Sequence, residues 1–203
     1  MVLVTRRGTI RTVERGGELA GAAAVACVRT FADDPFLGPW RTRPGKVMLR
    51  ARGGQWDEIL AEPHVIAGDP AGESVIALPP RPRTLRPEVL DRMQAMSSEL
   101  EPPPAQRRED DHRVALTYLL NPRATMSSGK TLAQIAHAAI AAAARLPQWA
   151  DAGCPARVLA VSPAAFDAAR TRDDLVAEIQ DAGLTEVPPG TITVRALADG
   201  WER

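Results

Sequence analysis

The sequence predicts an α/β protein of two small domains, each a roughly four-stranded mixed sheet with flanking helices, set together as a pseudo-dimer. Three observations lead there. The C-terminal half alternates strand-like and helix-like segments. The N-terminal half runs through the same order. A proline-rich, charged stretch separates the two. The expected boundaries are 1–78, 79–112 and 113–203.

Taken in order, "MVLVT" opens the chain as a strand, and "LAGAAAVACV" (19–28) follows as a helix. "KVMLRA" (46–51) reads as a strand, "GQWDEIL" as a helix, and "VIAGD" (65–69) and "SVIAL" (74–78) as two more strands. Residues 79–112 begin with "PPRPRTLRP", whose prolines favour stiff, extended backbone. The middle, "EVLDRMQAMSSEL", predicts a short amphipathic helix with Val89, Leu90, Met93 and Met96 on one side. The last part, "EPPPAQRREDDHR", is highly charged and predicts a mobile end.

In the C-terminal half, "VALTYLL" (114–120) is a buried strand and residues 129–145 a helix, with a loop holding Trp149 after it. "RVLAVS" (157–162) is the second strand. "PAAFDAARTRDD" is a helix with proline at its start, where a missing N–H costs nothing. "LVAEIQ" (175–180) fits a strand or a helix end. "TITVRAL" (191–197) is the last strand, with Ile192 and Val194 expected on one face and Thr193 and Arg195 on the other. The N-terminal half lines up beneath this one at an offset of about 112. Gly17 falls under Gly129, Trp40 near Trp149, and Asp69 below Asp181. A diverged duplication is the expected origin.

The 203 residues carry no net formal charge, which argues against a strongly basic nucleic-acid binder while allowing a local basic face. Cys27 and Cys154 stand alone, forming no metal-ligand pattern, and fit a reducing cytoplasm. The N-terminus resembles no secretion signal, and no run is apolar enough to span a membrane. Arginine outnumbers lysine 23 to 2, the lysines being Lys46 and Lys130. A lysine retained against that bias supplies a compact ammonium that arginine does not imitate.

Lys130 lies in "MSSGKTLAQIAHAAIAAAA" (126–144). Its GKT triplet is not an ATP loop, because the required earlier glycine is Ala124. What remains is a Ser-Ser-Gly turn, with Ser127 or Ser128 as cap, opening an alanine-rich helix whose N-terminus favours anions. Gln134 and His137 follow Lys130 on one helical face.

This stretch and "IQDAGLTEVPPGTITVRALA" resemble the two signature stretches of the peptidyl-tRNA hydrolase 2 family. Met126, Gly129, Lys130, Ala133, Gln134, His137 and Ala138 match the first. Gln180, Asp181, Ala182, Gly183, Thr185, Pro189, Gly190, Thr191 and Thr193 match the second. The likeness covers about residues 113–198. Ser127 and Ser128 stand where the family has its first glycine and earlier lysine, Arg123 where an aspartate is expected, and Leu184 where a basic residue is common. In the N-terminal half Glu18 takes the lysine place and Val25 the histidine place, so that half is expected to keep the fold without the chemistry.

The resemblance implies hydrolysis of the ester joining a peptide or N-blocked amino acid to tRNA, in the cytoplasm and without a cofactor or metal. It implies catalytic roles for Lys130, Asp181, Thr185 and Thr191, and substrate contacts from Ser128, Gly129, Gln134, His137, Gly183 and Gly190. The implied partner is tRNA, with the protein a monomer containing an internal pseudo-dimer, or a homodimer. The C-terminal half carries nine basic and nine acidic residues, so phosphate contacts require local clustering of arginine or help from the connector stretch "RPRTLRP". The alternative is an interaction module that keeps the fold and lacks turnover.

Overall fold

The structure, a computed structural model, describes residues 1–97, 100–106 and 116–198. The first half runs β1 (Val2–Arg6), α1 (Val13–Thr30), α2 (Leu37–Thr42), β2 (Val47–Ala51), α3 (Gln55–Leu60), β3 (Val65–Gly68), β4 (Ser74–Leu78) and β5 (Gln94–Ala95). The second runs β6 (Leu116–Leu120), α4 (Ser128–Ala143), α5 (Pro147–Asp151), β7 (Ala156–Ala160), α6 (Pro163–Ala168), β8 (Leu175–Gln180) and β9 (Ile192–Leu197).

The two sheets share one connectivity. Strand order is β3-β4-β1-β2-β5 in the first and β7-β6-β9-β8 in the second. In each half the first two strands are parallel, and the fourth pairs antiparallel with both the first and the third. Register repeats as well. Thr5 lies opposite Arg50, and Thr117 opposite Arg157, all four buried.

Both long helices lie between the sheets, and their apolar faces join in one core. Gly16 lies against Leu132, Gly17 against Ile135 and Gly21 against Ala139, so the partners advance together and the helices run side by side in one direction. A Cβ on Gly17 would come 2.8 Å from both Ile135 and Val158. Small side chains are therefore a condition of this approach. Smaller apolar clusters cover the outer faces, under α3 in the first half and under α6 in the second. Among the described residues no helix is long and apolar enough to cross a membrane.

Four expectations need correction. Trp149, expected in a loop, lies in the short helix α5, which Pro147 opens. The first sheet has five strands, because residues 94–95 leave the connector and pair with β2. The connector's middle is accordingly not an amphipathic helix. It makes one 3-10 turn, Glu88–Arg92, and then extends. Val89, Leu90 and Met93 pack on the sheet's outer face, while Met96 enters the core between the sheets. An open strand edge offers the backbone better hydrogen bonds than a short isolated helix. The charged end at residues 107–112 lies outside the described residues. Finally, β9 does not alternate simply. Ile179 faces Val194 and Gln180 faces Ile192, leaving Thr193 as an extra residue. This bulge sends Val194 to the inner core and Ile192 to the outer cluster.

Candidate active site

The site forms where the start of α4 meets the loop after β8. Ser127 caps α4, its hydroxyl accepting from the Lys130 N–H at 3.2 Å, so it, and not Ser128, is the cap. The loop is closed at its base by Asp181 N–H to Thr191 O and Gly190 N–H to Asp181 O, each 2.8 Å. Gly183 and Gly190 both have positive φ, and a Cβ on Gly183 would meet Pro189 N at 2.4 Å. A side chain at Gly183 is thus excluded twice.

Lys130 reaches from the first turn of the helix into this loop. Its Nζ donates to Asp181 Oδ2 at 2.5 Å and to Thr185 Oγ1 at 3.0 Å. The same carboxylate oxygen accepts from Gln134 Nε2 at 2.6 Å, and Oδ1 accepts from Gly183 N–H at 2.8 Å. The pair is largely withdrawn from solvent, with the Lys130 side chain 14% exposed and that of Asp181 7%. Burial pushes the Asp181 carboxyl up, but Lys130, the Gly183 N–H and Gln134 together outweigh it and hold the group below its ordinary value. Asp181 is therefore an ionised acceptor with room on Oδ1 for one more donor. Lys130 has three hydrogens and two acceptors here, leaving one N–H for a ligand. Thr185 accepts from Lys130, so its own O–H remains available.

Several expected contacts are placed differently. Gln134 is buried, with its amide held at both ends, since Thr193 Oγ1 donates to its Oε1 at 3.0 Å. It steadies Asp181. Thr191 gives its hydroxyl to Pro188 O at 2.7 Å, closing the loop. Ser128 is buried and accepts from Leu100 N–H at 3.2 Å, which ties the connector to α4. Gly129 faces the connector too, since a Cβ there would come 2.4 Å from Met96 O. Arg123, at the position of the expected aspartate, is bonded to Asp167.

His137 turns away from the cluster to meet the other half. Its Nδ1 lies 2.9 Å from Lys46 Nζ. With Lys46 as an ammonium, its N–H donates and the ring nitrogen accepts, which puts the imidazole proton on Nε2. Burial lowers Lys46 to about 7. Burial, then Lys46, the N-terminus and Lys130, lower His137 to about 3, so the ring is neutral.

One participant escaped sequence reasoning. Glu186 receives both the Ser127 N–H, at 2.5 Å, and the Ser127 hydroxyl, at 2.7 Å. A carboxylate of the loop thus occupies the electropositive start of α4, an end expected to favour anions. The sequence signal was present in an acidic residue in the loop and a capping serine, but nothing in their spacing joined them.

The decisive likeness is that residues 115–200 match the family model of peptidyl-tRNA hydrolase PTH2. The C-terminal half is a PTH2-family domain. The PTH2 match spans both α4 and the loop after β8, so the Lys130–Asp181–Thr185 cluster lies wholly within it. The N-terminal half lies outside the matched span. No solved structure is significantly similar to the chain.

Proposed function

We propose that the protein hydrolyses the ester of peptidyl-tRNA or N-blocked aminoacyl-tRNA, working in the cytoplasm with the C-terminal half as its catalytic part. The observation that carries this reading is the shared ammonium of Lys130, bonded to Asp181 and Thr185 with one hydrogen left over. Asp181 Oδ1 orients a water molecule. The water oxygen bonds to the ester carbon, and the carbonyl electrons move to the oxygen facing Lys130 and the Thr185 hydroxyl. Collapse breaks the bond to the terminal ribose, whose oxygen takes up the proton given by the water. The acid product then ionises. A carboxylate held below its ordinary value is a weak base, so the rate rests chiefly on orientation and on the two donors. No cofactor enters this scheme. The N-terminal half acts as a degenerate repeat that completes the fold.

A second reading, an interaction module without turnover, draws support from Glu186. Its carboxylate fills the start of α4, which an incoming phosphate would otherwise take. Deacylation of N-acetyl-aminoacyl-tRNA by the full chain separates the two. The first reading expects cleavage above background that falls at least a hundredfold in Lys130→Ala, the usual loss for one oxyanion donor. Wild-type rates equal to the uncatalysed reaction leave only the second.

A further inference from the structure

The two halves place one loop each over the other half's long helix. The loop between α2 and β2 overlies α4, where Lys46 Nζ meets His137. Its counterpart, the loop between α5 and β7, follows Asp151, which pairs with Arg29 at the end of α1. Their charges differ. Residues 152–155, "AGCP", carry none and are flanked by Asp151 and Arg157, whereas Arg43 and Lys46 lie in the first loop and Arg41 just before it, with no carboxylate beside them. From Pro35 to Trp56 there are five basic residues and no carboxylate. The basic loop is thus the one above the helix that carries Lys130.

That loop is also held in shape. Trp40 Nε1 donates to Gly45 O at 2.8 Å, and the Lys46 ammonium lies 4.5 Å from the centre of the Trp40 ring. Arg41 and Arg43 are exposed, and among the described residues neither has an ion pair. His137 follows Lys130 by seven residues, roughly 10 Å along the helix axis. The loop therefore stands within a few phosphate spacings of the ester site.

We propose that this loop is the tRNA-backbone contact of the protein, with Arg41 and Arg43 taking phosphates of the acceptor end and Lys46 fastening the loop to α4. It rests on the esterase reading for its substrate, and it assigns the N-terminal half a part in holding that substrate. It also answers the charge problem of the C-terminal half, whose basic and acidic residues balance.

The test is binding of deacylated tRNA to the full chain from about 50 to 200 mM salt. Arg41→Ala/Arg43→Ala is compared with wild type and with a charge-matched control, Arg83→Ala/Arg170→Ala, on the connector and beside α6. Binding by the loop variant should weaken about tenfold, and its log–log salt slope should shrink by about 1.5, from two lost phosphate contacts. The control should match wild type, and thermal unfolding should be unchanged in both. Equal affinity and slope in wild type and the loop variant overturn the proposal, as does a wild type that binds no tRNA. Deacylation by the same preparations keeps the two readings apart. Loop-dependent binding without cleavage defeats the esterase alone, while cleavage with an unmoved KM in the loop variant defeats the loop alone.

Discussion

Lys130 Nζ and Asp181 Oδ2 stand 2.5 Å apart, one on the first turn of α4 and the other at the end of β8, with both side chains mostly buried. The contact is structural glue as well as candidate machinery. Removing one partner leaves a buried charge without its counter-ion, which typically costs about 3 kcal/mol or more. Lys130→Met should therefore lower the urea midpoint by an amount of that order at unchanged m-value. Lys130→Arg should recover much of the stability but little activity, because a planar guanidinium does not point donors at Asp181, Thr185 and a substrate together. Full deacylation by Lys130→Arg would remove the ammonium from the mechanism.

Gln134 links Asp181 to Thr193 and is buried. In Gln134→Leu both partners lose a bond in a buried setting, a loss of about 1–3 kcal/mol. The rate constant should fall while KM hardly moves, since the residue orients Asp181 and does not meet substrate. A rise in KM alone, measured in steady-state deacylation, would contradict that placement.

Gly129 is set by packing. Its missing Cβ leaves space for Met96 O, which would otherwise sit 2.4 Å away. Gly129→Ala should destabilise the protein by about 1–3 kcal/mol through forced displacement of the connector. Because the obstacle is backbone, a second change, Met96→Ala, should not restore the melting temperature. Restoration would show that the Met96 side chain was the true obstacle.

Stability should climb with pH on both sides of neutrality. His137 binds its proton at about 3 in the folded chain against an ordinary 6.5, so between those values the unfolded chain holds more protons and acid favours unfolding. Asp181 adds in the same direction as pH falls below its ordinary 3.8. Lys46, lowered to about 7 from 10.5, and the N-terminus, lowered to about 5 from 8.0, extend the rise to about pH 9, above which the buried Cys27 and Cys154 thiols, raised to about 12 and about 11, oppose it. His137→Gln should flatten the limb between about pH 4 and 6, where a single group contributes at most about 1.4 kcal/mol per unit. Urea midpoints measured across that range report it, and an unchanged slope would mean His137 is protonated in the folded state.

Strand and helix order was readable because local patterns agree with the final packing. The nearness of Lys130, Asp181 and Thr185 was also readable, but only through the family's two signature stretches. What stayed hidden depends on geometry that residue types do not encode. Thr193 reaches Gln134 only because one extra residue bulges from β9. Gln94 and Ala95 extend because β2 had an open edge. Lys46 stood out in composition, yet its partner lies 91 positions away, across the seam between the halves. Glu186 and Ser127 are ordinary residues until the loop folds back.

The side-by-side helices of one chain have a consequence that two separate subunits would not share. In a homodimer every substitution appears twice, once at each copy of the seam, and any gain on one side is repeated on the other. Here the first turns of α1 and α4 carry Arg15 and Lys130, each giving its backbone N–H to the capping hydroxyl, and the two positions differ freely. A change on one helix is thus never imposed on the other, and the two ends of the seam are free to carry different residues.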